Sequence, residues 1–497
     1  MFKLNYILLI SLFISLSSCN KPVPSTPMKN CKDCNLIVIS LTSLRKDRMS
    51  YYGYPKETTP NISSFFKNSF RFDNVIAPAA LTYTDAMSLF YSVSPQVHQA
   101  YVRARKNYTF TTLLKYPSLA DVLSKAGYKT AAFVSDEDYE FGWGLGKTFD
   151  LYFDRAHYAD YGIQFKPFTY SVGTKQLVPQ AIKWLEKNQN EKKFLFLQAY
   201  DLHCPFNPSP SFRNKFVKNF QSNIPLDQEC FMAKDKMYPI RRDGIDKFLM
   251  KSFFAYVKEE EKTYYLEKKE IDILKDLYDA EIAEADFNLA PLFEKIKQLK
   301  LEKNTIVVLL TEHGDYQGEN GYFFKTAANA EGNLHKVNLN IPFILKLPEL
   351  NDQIAQPQII QLIDIAPSII DLLGLKKPST MQGKSFKTVL GSNQEINDYS
   401  YGYSIRYGFV KLELNQNYYY KLETLQNHEW KLNHSEQYEF PKRNFIKEEY
   451  FLFDLSNDPD EKNNLATKNK TQLEKLKIVL KQKRDFYSDG VTNETNH

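Results

Sequence analysis

Short, unbroken apolar runs alternate with longer segments in which apolar residues recur every three or four positions. Leu36-Ile37-Val38-Ile39, Thr130-Ala131-Ala132-Phe133-Val134, Phe194-Leu195-Phe196-Leu197, Thr305-Ile306-Val307-Val308-Leu309-Leu310 and Pro342-Phe343-Ile344-Leu345 are apolar at successive positions. That pattern predicts strands buried on both faces. Between them, Ser118 and Asp121 carry the spacing of a capping box, opening a helix that closes at Gly127. Leu274, Tyr278, Ile282, Ala285, Leu289, Phe293 and Ile296 mark a long helix with a charged outer face. Helices alternating with doubly buried strands predict an α/β fold, a mostly parallel sheet sandwiched by helices. Beyond Gly391 the pattern changes: residues 401–423 are tyrosine-rich and alternating, which predicts a small antiparallel sheet, and a final helix is expected over residues 471–486.

Composition narrows the class. The chain has 497 residues, 43% hydrophobic and 25% charged, which excludes disordered, collagenous and polytopic membrane proteins. A net charge of +5 over this length, with no dense basic block, gives no nucleic-acid footprint. Glu259-Glu260-Glu261-Lys262 is read as a solvated face. The five cysteines are an odd number, so one needs a role other than intramolecular pairing.

The N-terminus supplies that role. Lys3 precedes the apolar stretch Ile7–Ile14, too short to span a bilayer, which takes about 20 apolar residues. It reads as an export signal. Leu16-Ser17-Ser18-Cys19 resembles the lipobox of bacterial lipoproteins, which implies acylation of Cys19 and an extracytoplasmic protein held on the cell envelope through its lipid. By the same resemblance, Asn20 rather than Asp after the cysteine favours the outer membrane. A proline-rich tether follows from Lys21 to Pro27. Of the remaining cysteines, Cys31 and Cys34 form either a small disulfide or two free thiols, and Cys204 and Cys230 are able to pair. The expected organisation is a signal peptide (1–18), anchor and tether (19–34), main domain (35–391) and C-terminal subdomain (392–497).

In parallel sheets ligands bind beyond the carboxyl ends of strands, so the segments after each apolar run carry the candidate chemistry. The first is Leu41-Thr42-Ser43-Leu44-Arg45-Lys46-Asp47-Arg48, followed by Tyr52-Gly53-Tyr54 and Thr59-Pro60-Asn61. Further along come Asp201-Leu202-His203-Cys204-Pro205-Phe206, Tyr278-Asp279-Ala280-Glu281, Thr311-Glu312-His313-Gly314-Asp315, Ile363-Asp364-Ile365-Ala366-Pro367-Ser368 and Phe453-Asp454-Leu455-Ser456-Asn457-Asp458-Pro459. In this order the segments resemble the sulfatase family of the alkaline-phosphatase-like superfamily, over nearly the whole mature chain.

The resemblance implies a divalent metal (Ca, Mg, Mn or Zn), a nucleophile beside it, and cationic or imidazole groups for the ester oxygens and leaving group. Thr82 takes the nucleophile's place within Ala77-Pro78-Ala79-Ala80-Leu81-Thr82-Tyr83-Thr84-Asp85-Ala86. The Cys-x-Pro-x-Arg pattern is absent there, so no formylglycine is expected. A bland role for Thr82, capping a helix with Asp85 three residues on, stays open. The metal set implied is Thr42, Glu312 and His313, where Thr42 and Glu312 stand in place of aspartates. His203, His335 and Lys325 are the implied groups for substrate and leaving group, whereas His98 is expected to be structural.

Two functional expectations follow. One is an envelope-anchored hydrolase of sulfate, phosphate or phosphonate esters with a Thr82 nucleophile, or a phospho-group transferase using the same intermediate on envelope glycans or lipids. The other is a catalytically inactive lipoprotein of this fold that binds an anionic glycan or a protein partner. Expected partners are a sulfated or phosphorylated glycan or lipid, or a small ester, and the membrane through the lipid anchor.

Overall fold

The structure is a computed structural model, and it describes residues 29–101, 116–158, 172–218, 220–233, 240–253, 263–324, 330–332, 334–407 and 418–488. Cys19, Lys325 and the acidic run at 259–262 lie outside the described residues.

The chain begins with β1 (Asn35–Leu41), α1 (Pro60–Phe65), β2 (Phe70–Ile76), α2 (Thr82–Tyr91), α3 (Pro95–His98), α4 (Leu119–Lys125), β3 (Lys129–Val134) and β4 (Leu151–Phe153). Next come α5 (Thr174–Lys187), β5 (Lys193–Ala199), α6 (Pro210–Phe216), β6 (Cys230–Ala233), β7 (Ile240–Arg242), β8 (Ile245–Phe253), β9 (Thr263–Glu267) and α7 (Lys268–Gln298). β10 (Thr305–Leu310), β11 (Tyr316–Gln317), β12 (Phe323–Phe324), α8 (Lys336–Leu339), β13 (Asn340–Lys346), β14 (Ile354–Gln361) and α9 (Ile365–Leu372) follow. The C-terminal part is β15 (Ser400–Tyr407), β16 (Tyr418–Gln426), β17 (Trp430–Glu439), β18 (Phe445–Asp454) and α10 (Lys470–Ser488).

An eight-stranded sheet in the order β14-β2-β13-β10-β1-β5-β3-β4 forms the centre. Every strand is parallel to its neighbours except β13, which runs antiparallel to β10 and β2. Alternate residues of β1 enter different cores: Leu36 and Val38 pack on one face, Ile37 and Ile39 on the other. This is why the central strands read as continuous apolar runs. Burying a Leu, Ile, Val or Phe side chain is worth roughly 1.5–3 kcal/mol, so both faces of the sheet drive folding.

α7 spans 31 residues and lies across one face, burying Leu274, Tyr278, Ile282, Ala285, Leu289, Phe293 and Ile296 as their spacing predicts. α4 opens with the expected capping box between Ser118 and Asp121. The C-terminal sheet has the order β15-β16-β17-β18 and packs against α10 through Leu425, Leu432, Leu452, Leu476, Leu480 and Tyr487. The hydrophobic pattern did not anticipate the antiparallel sheet made by β6 to β9. Its exposed Ile240, Ile245 and Tyr265 break the in-out alternation that would have marked it. Both cysteine pairs are bonded, Cys31 to Cys34 and Cys204 to Cys230, the latter tying β6 to the loop after β5.

Among the described residues, no helix is long and apolar enough to cross a membrane.

Candidate active site

Register brings the first two site residues together. β1 and β10 pair with Ser40 opposite Leu310, so two residues on Thr42 stands beside Glu312. Thr42 Oγ1 and Glu312 Oε1 are 3.5 Å apart, and both residues are fully buried. From β5, whose Gln198 pairs opposite Ser40, the Gln198 amide donates to Thr42 Oγ1 at 2.5 Å. The loop after β3 adds the Tyr139 hydroxyl, which donates to Glu312 Oε1 at 2.6 Å, and Thr311 donates to Oε2 at 3.3 Å. Burial raises the Glu312 pKa above the usual carboxylate range, and these hydroxyls counter only part of that.

His313 follows directly. Its Nδ1 lies 3.0 Å from the carbonyl oxygen of Gly314, which can only accept, so Nδ1 carries the proton. Nε2 is then a lone-pair acceptor, and it faces Thr82 Oγ1 at 3.0 Å. The Thr82 hydroxyl therefore donates to His313. Thr82 is the first residue of α2, and Leu81 before it makes no side-chain cap. Capping falls instead to Asp85, whose carboxylate accepts the backbone N–H groups of Ala79 and Leu81, each at 3.0 Å. Of the two roles left open for Thr82, the hydroxyl is thus spent on the imidazole and not on the helix end.

Several contacts hold the His313 loop. Gly314 donates its N–H to Asn338 O at 2.8 Å, and a Cβ on Gly314 would come within 2.1 Å of Val337 O. Only glycine lets the two backbones approach this closely. From the other side, the buried Arg45 guanidinium pairs with Asp47 at 2.6 Å and Glu319 at 2.9 Å and donates to Asp315 O at 3.2 Å. α8 is itself capped from the C-terminal subdomain, because Glu461 accepts the Lys336 N–H at 3.1 and 3.2 Å while pairing with buried Lys431 at 2.9 Å. The His313 loop thus rests on a chain of contacts that begins at residue 461.

The structure groups Thr42, Thr82, Glu312 and His313. His203 follows β5, stacked on Tyr200 at 4.4 Å and edge-on to Phe324 at 4.9 Å, with Nδ1 2.9 Å from Cys204 O. His335 is buried at the start of α8, its Nδ1 2.5 Å from the Tyr316 hydroxyl and its ring against Phe453. His98 is structural, as expected: it bridges Ser88 at 2.9 Å and the Ala100 N–H at 3.0 Å, and burial lowers its pKa to about 3. Tyr139 and Arg406 were missed by sequence reasoning. Tyr139 lies in a short turn, and Arg406 arrives on β15 from the other end of the chain, donating to Ala80 O at 3.1 Å.

The donors suit one cation of modest affinity. Glu312 is a fully buried carboxylate with hydroxyl partners and no salt bridge among the described residues, an arrangement that a cation stabilises. The His313 ring, held by its other nitrogen on a backbone carbonyl, has the orientation usual for a ligating imidazole. With Thr42 they offer one carboxylate, one imidazole and one hydroxyl, fewer anionic oxygens than a tight Ca²⁺ site uses. Among the described residues the single cluster of three His, Cys or acidic ligand atoms in mutual reach is His203, Cys204 and Cys230, and its sulfurs are consumed in the disulfide.

The family model described as Sulfatase matches residues 34–375, and one described as N-sulphoglucosamine sulphohydrolase, C-terminal, matches residues 318–486. The chain belongs to the sulfatase family. Mouse arylsulfatase K is 26% identical over 305 residues, covering 59% of this chain and 50% of its own length. The multifunctional alkaline phosphatase superfamily protein PehA of Trinickia caryophylli is 24% identical over 289 residues, covering 58% and 54%. The chain thus spans about half the length of the curated relatives it matches. Among solved structures, a protein in complex with its substrate D-glucosamine-2-N,6-O-disulfate superposes with a TM-score of 0.67 at 17% identity, covering 94% of this chain and 100% of the other. The phosphonate monoester hydrolase of Agrobacterium radiobacter gives 0.64 at 16%, covering 92% and 96%. These structural likenesses establish the alkaline-phosphatase-like fold. Sulfatases and phosphonate hydrolases of this family are typically metal-dependent.

Proposed function

We propose that the protein is a hydrolase of sulfate, phosphate or phosphonate esters, with Thr82 as nucleophile, held on a bacterial cell envelope, in the outer membrane, through Cys19. The observation that carries this reading is the 3.0 Å contact from Thr82 Oγ1 to His313 Nε2, with His313 Nδ1 fixed on Gly314 O. A free threonine hydroxyl is a weak nucleophile, and an adjacent base activates it. In the geometry seen, Nε2 takes the proton as Oγ1 attacks sulfur or phosphorus, forming a covalent ester on Thr82 while the substrate's bridging oxygen departs. His203 is proposed to protonate that oxygen, and water then releases Thr82.

A divalent cation would be held by Glu312, Thr42 and His313, and when bound it neutralises charge on the ester oxygens. The Nε2 lone pair serves either the cation or the Thr82 proton, so the two states of the site differ in what activates the hydroxyl. His335 and Lys325 are proposed to support the substrate side. The natural substrate class proposed is a sulfated or phosphorylated glycan, lipid or small ester. Solved structures of similar fold include a complex with k-i-k-neocarrahexaose and a 2-O GAG sulfatase, which supports sulfated glycans as the first substrates to try.

The test uses the full chain with aryl sulfate, phosphomonoester, phosphodiester and phosphonate substrates, alongside bound-metal analysis. Turnover of at least one class is expected, falling by about 100-fold or more in Thr82→Ala and His313→Ala. Turnover indifferent to both substitutions would sink the mechanism. No turnover and no stoichiometric metal would mean a binding protein instead.

A further inference from the structure

β15 comes from the C-terminal subdomain and lies along the entrance to α2. Residues 402, 404 and 406 share one face of this strand by its two-residue period. Gly402 presses on Pro78, where a Cβ would come within 2.4 Å of the carbonyl oxygen. At the other end of the face, Arg406 Nη2 donates to Ala80 O at 3.1 Å. The face therefore follows residues 78–80, which lead directly into Thr82. The guanidinium is also within electrostatic reach of Asp315 and Tyr316, which lie just past His313. Arg406 thus touches the loop that leads into Thr82 and lies within electrostatic reach of the segment that follows His313.

The guanidinium is half-buried and incompletely satisfied. Its Nε is shielded from solvent with no hydrogen-bond partner, and so is the Ser404 hydroxyl on the same face. Asp85 is the acid whose charge acts most on it, but that carboxylate is already engaged with Ala79 and Leu81, and no carboxylate among the described residues pairs with Arg406. A partly desolvated cation with one neutral acceptor is unfavourable unless an anion offsets it. Guanidinium presents a planar fork that matches two oxygens of a sulfate or phosphate group, and a hydroxyl beside it adds a further donor.

We propose that Arg406 is a substrate-binding residue that holds the non-bridging oxygens of the sulfate or phosphate group, assisted by Ser404. This rests on the hydrolase reading for the identity of the group, and its test measures binding of anions that cannot be turned over.

Inorganic phosphate and inorganic sulfate are titrated separately by calorimetry into the wild-type chain, Arg406→Met and Arg406→Lys, with Arg443→Met on the exposed β17–β18 turn as control. The wild type and the control are expected to bind at least one anion. Arg406→Met should weaken binding by about 10- to 100-fold, the range for a hydrogen bond to a charged group, with Arg406→Lys in between. Whichever anion binds more tightly marks the ester class. Should Arg406→Met fail to fold, phenylglyoxal labelling of the wild type replaces it, and phosphate should protect Arg406 but not Arg443. Equal affinity of Arg406→Met and wild type, no binding to wild type, or no protection would each overturn the assignment. A Thr82→Ala enzyme that still turns over would sink the hydrolase mechanism while leaving the anion titration unaffected.

Discussion

Gly314→Ala is a one-carbon perturbation placed where the site is most tightly supported. The added Cβ would stand 2.1 Å from Val337 O, against about 3.3 Å for the closest ordinary carbon–oxygen contacts. Relief needs a displacement of about 1.2 Å, and the Arg45 side chain at 3.3 Å blocks one direction of it. Moving the loop from α8 breaks the 2.8 Å bond from the Gly314 N–H to Asn338 O, leaving a buried donor unmet at about 1–3 kcal/mol. With residual strain the expected loss of stability is about 2–4 kcal/mol. Because Gly314 O also fixes the His313 ring, a shift of about 1 Å at the imidazole should lower turnover by about 100-fold. Urea denaturation reads the first effect, and turnover of the best aryl ester reads the second. Stability within about 0.5 kcal/mol of wild type with unchanged turnover would show that the close approach neither constrains the fold nor positions His313.

Other substitutions test separate links. Tyr139→Phe removes the 2.6 Å donor to Glu312 and should cost about 1.5–3 kcal/mol in denaturation, whereas a neutral result would mean the carboxyl does not depend on it. Glu461→Ala strands buried Lys431 and uncaps α8, so a loss of about 3–5 kcal/mol is expected, and Lys431→Met added to it should recover part of that; a double variant no better than the single would contradict the pairing. Asp364 is buried and its pKa is raised to about 6 chiefly by desolvation. A raised carboxyl favours the fold below the unfolded pKa and loses that contribution as pH climbs through the folded one. The advantage of wild type over Asp364→Asn should therefore shrink by about 2 kcal/mol between pH 4 and pH 6, and a gap that is flat or widens over that range would reverse the sign of the argument.

Sequence exposed the centre of the fold because its strands are buried on both faces, and Thr305–Leu310 is bounded in the structure as the apolar run is. Edge and amphipathic strands were less visible: β2 and β14 mix polar residues into their faces, and the β6–β9 sheet exposes apolar ones. Thr42, Thr82, Glu312 and His313 were legible through the resemblance of their segments to the sulfatase family, and in the structure parallel pairing of β1 and β10 sets Thr42 beside Glu312 while Thr82 meets His313. Tyr139 and Arg406 were not legible. Each reaches the site through tertiary placement, one on a short turn and one on a strand more than three hundred residues from the loop it touches, and no local spacing encodes either.

The most direct test is to quench the wild-type chain with acid during turnover of its best aryl ester and weigh the peptide that contains Thr82. A threonine carrying one sulfuryl or phosphoryl group, absent in Thr82→Ala and depleted in His313→Ala, is the predicted result. An active enzyme whose Thr82 peptide stays unmodified on the turnover timescale, with activity preserved in Thr82→Ala, would contradict the account.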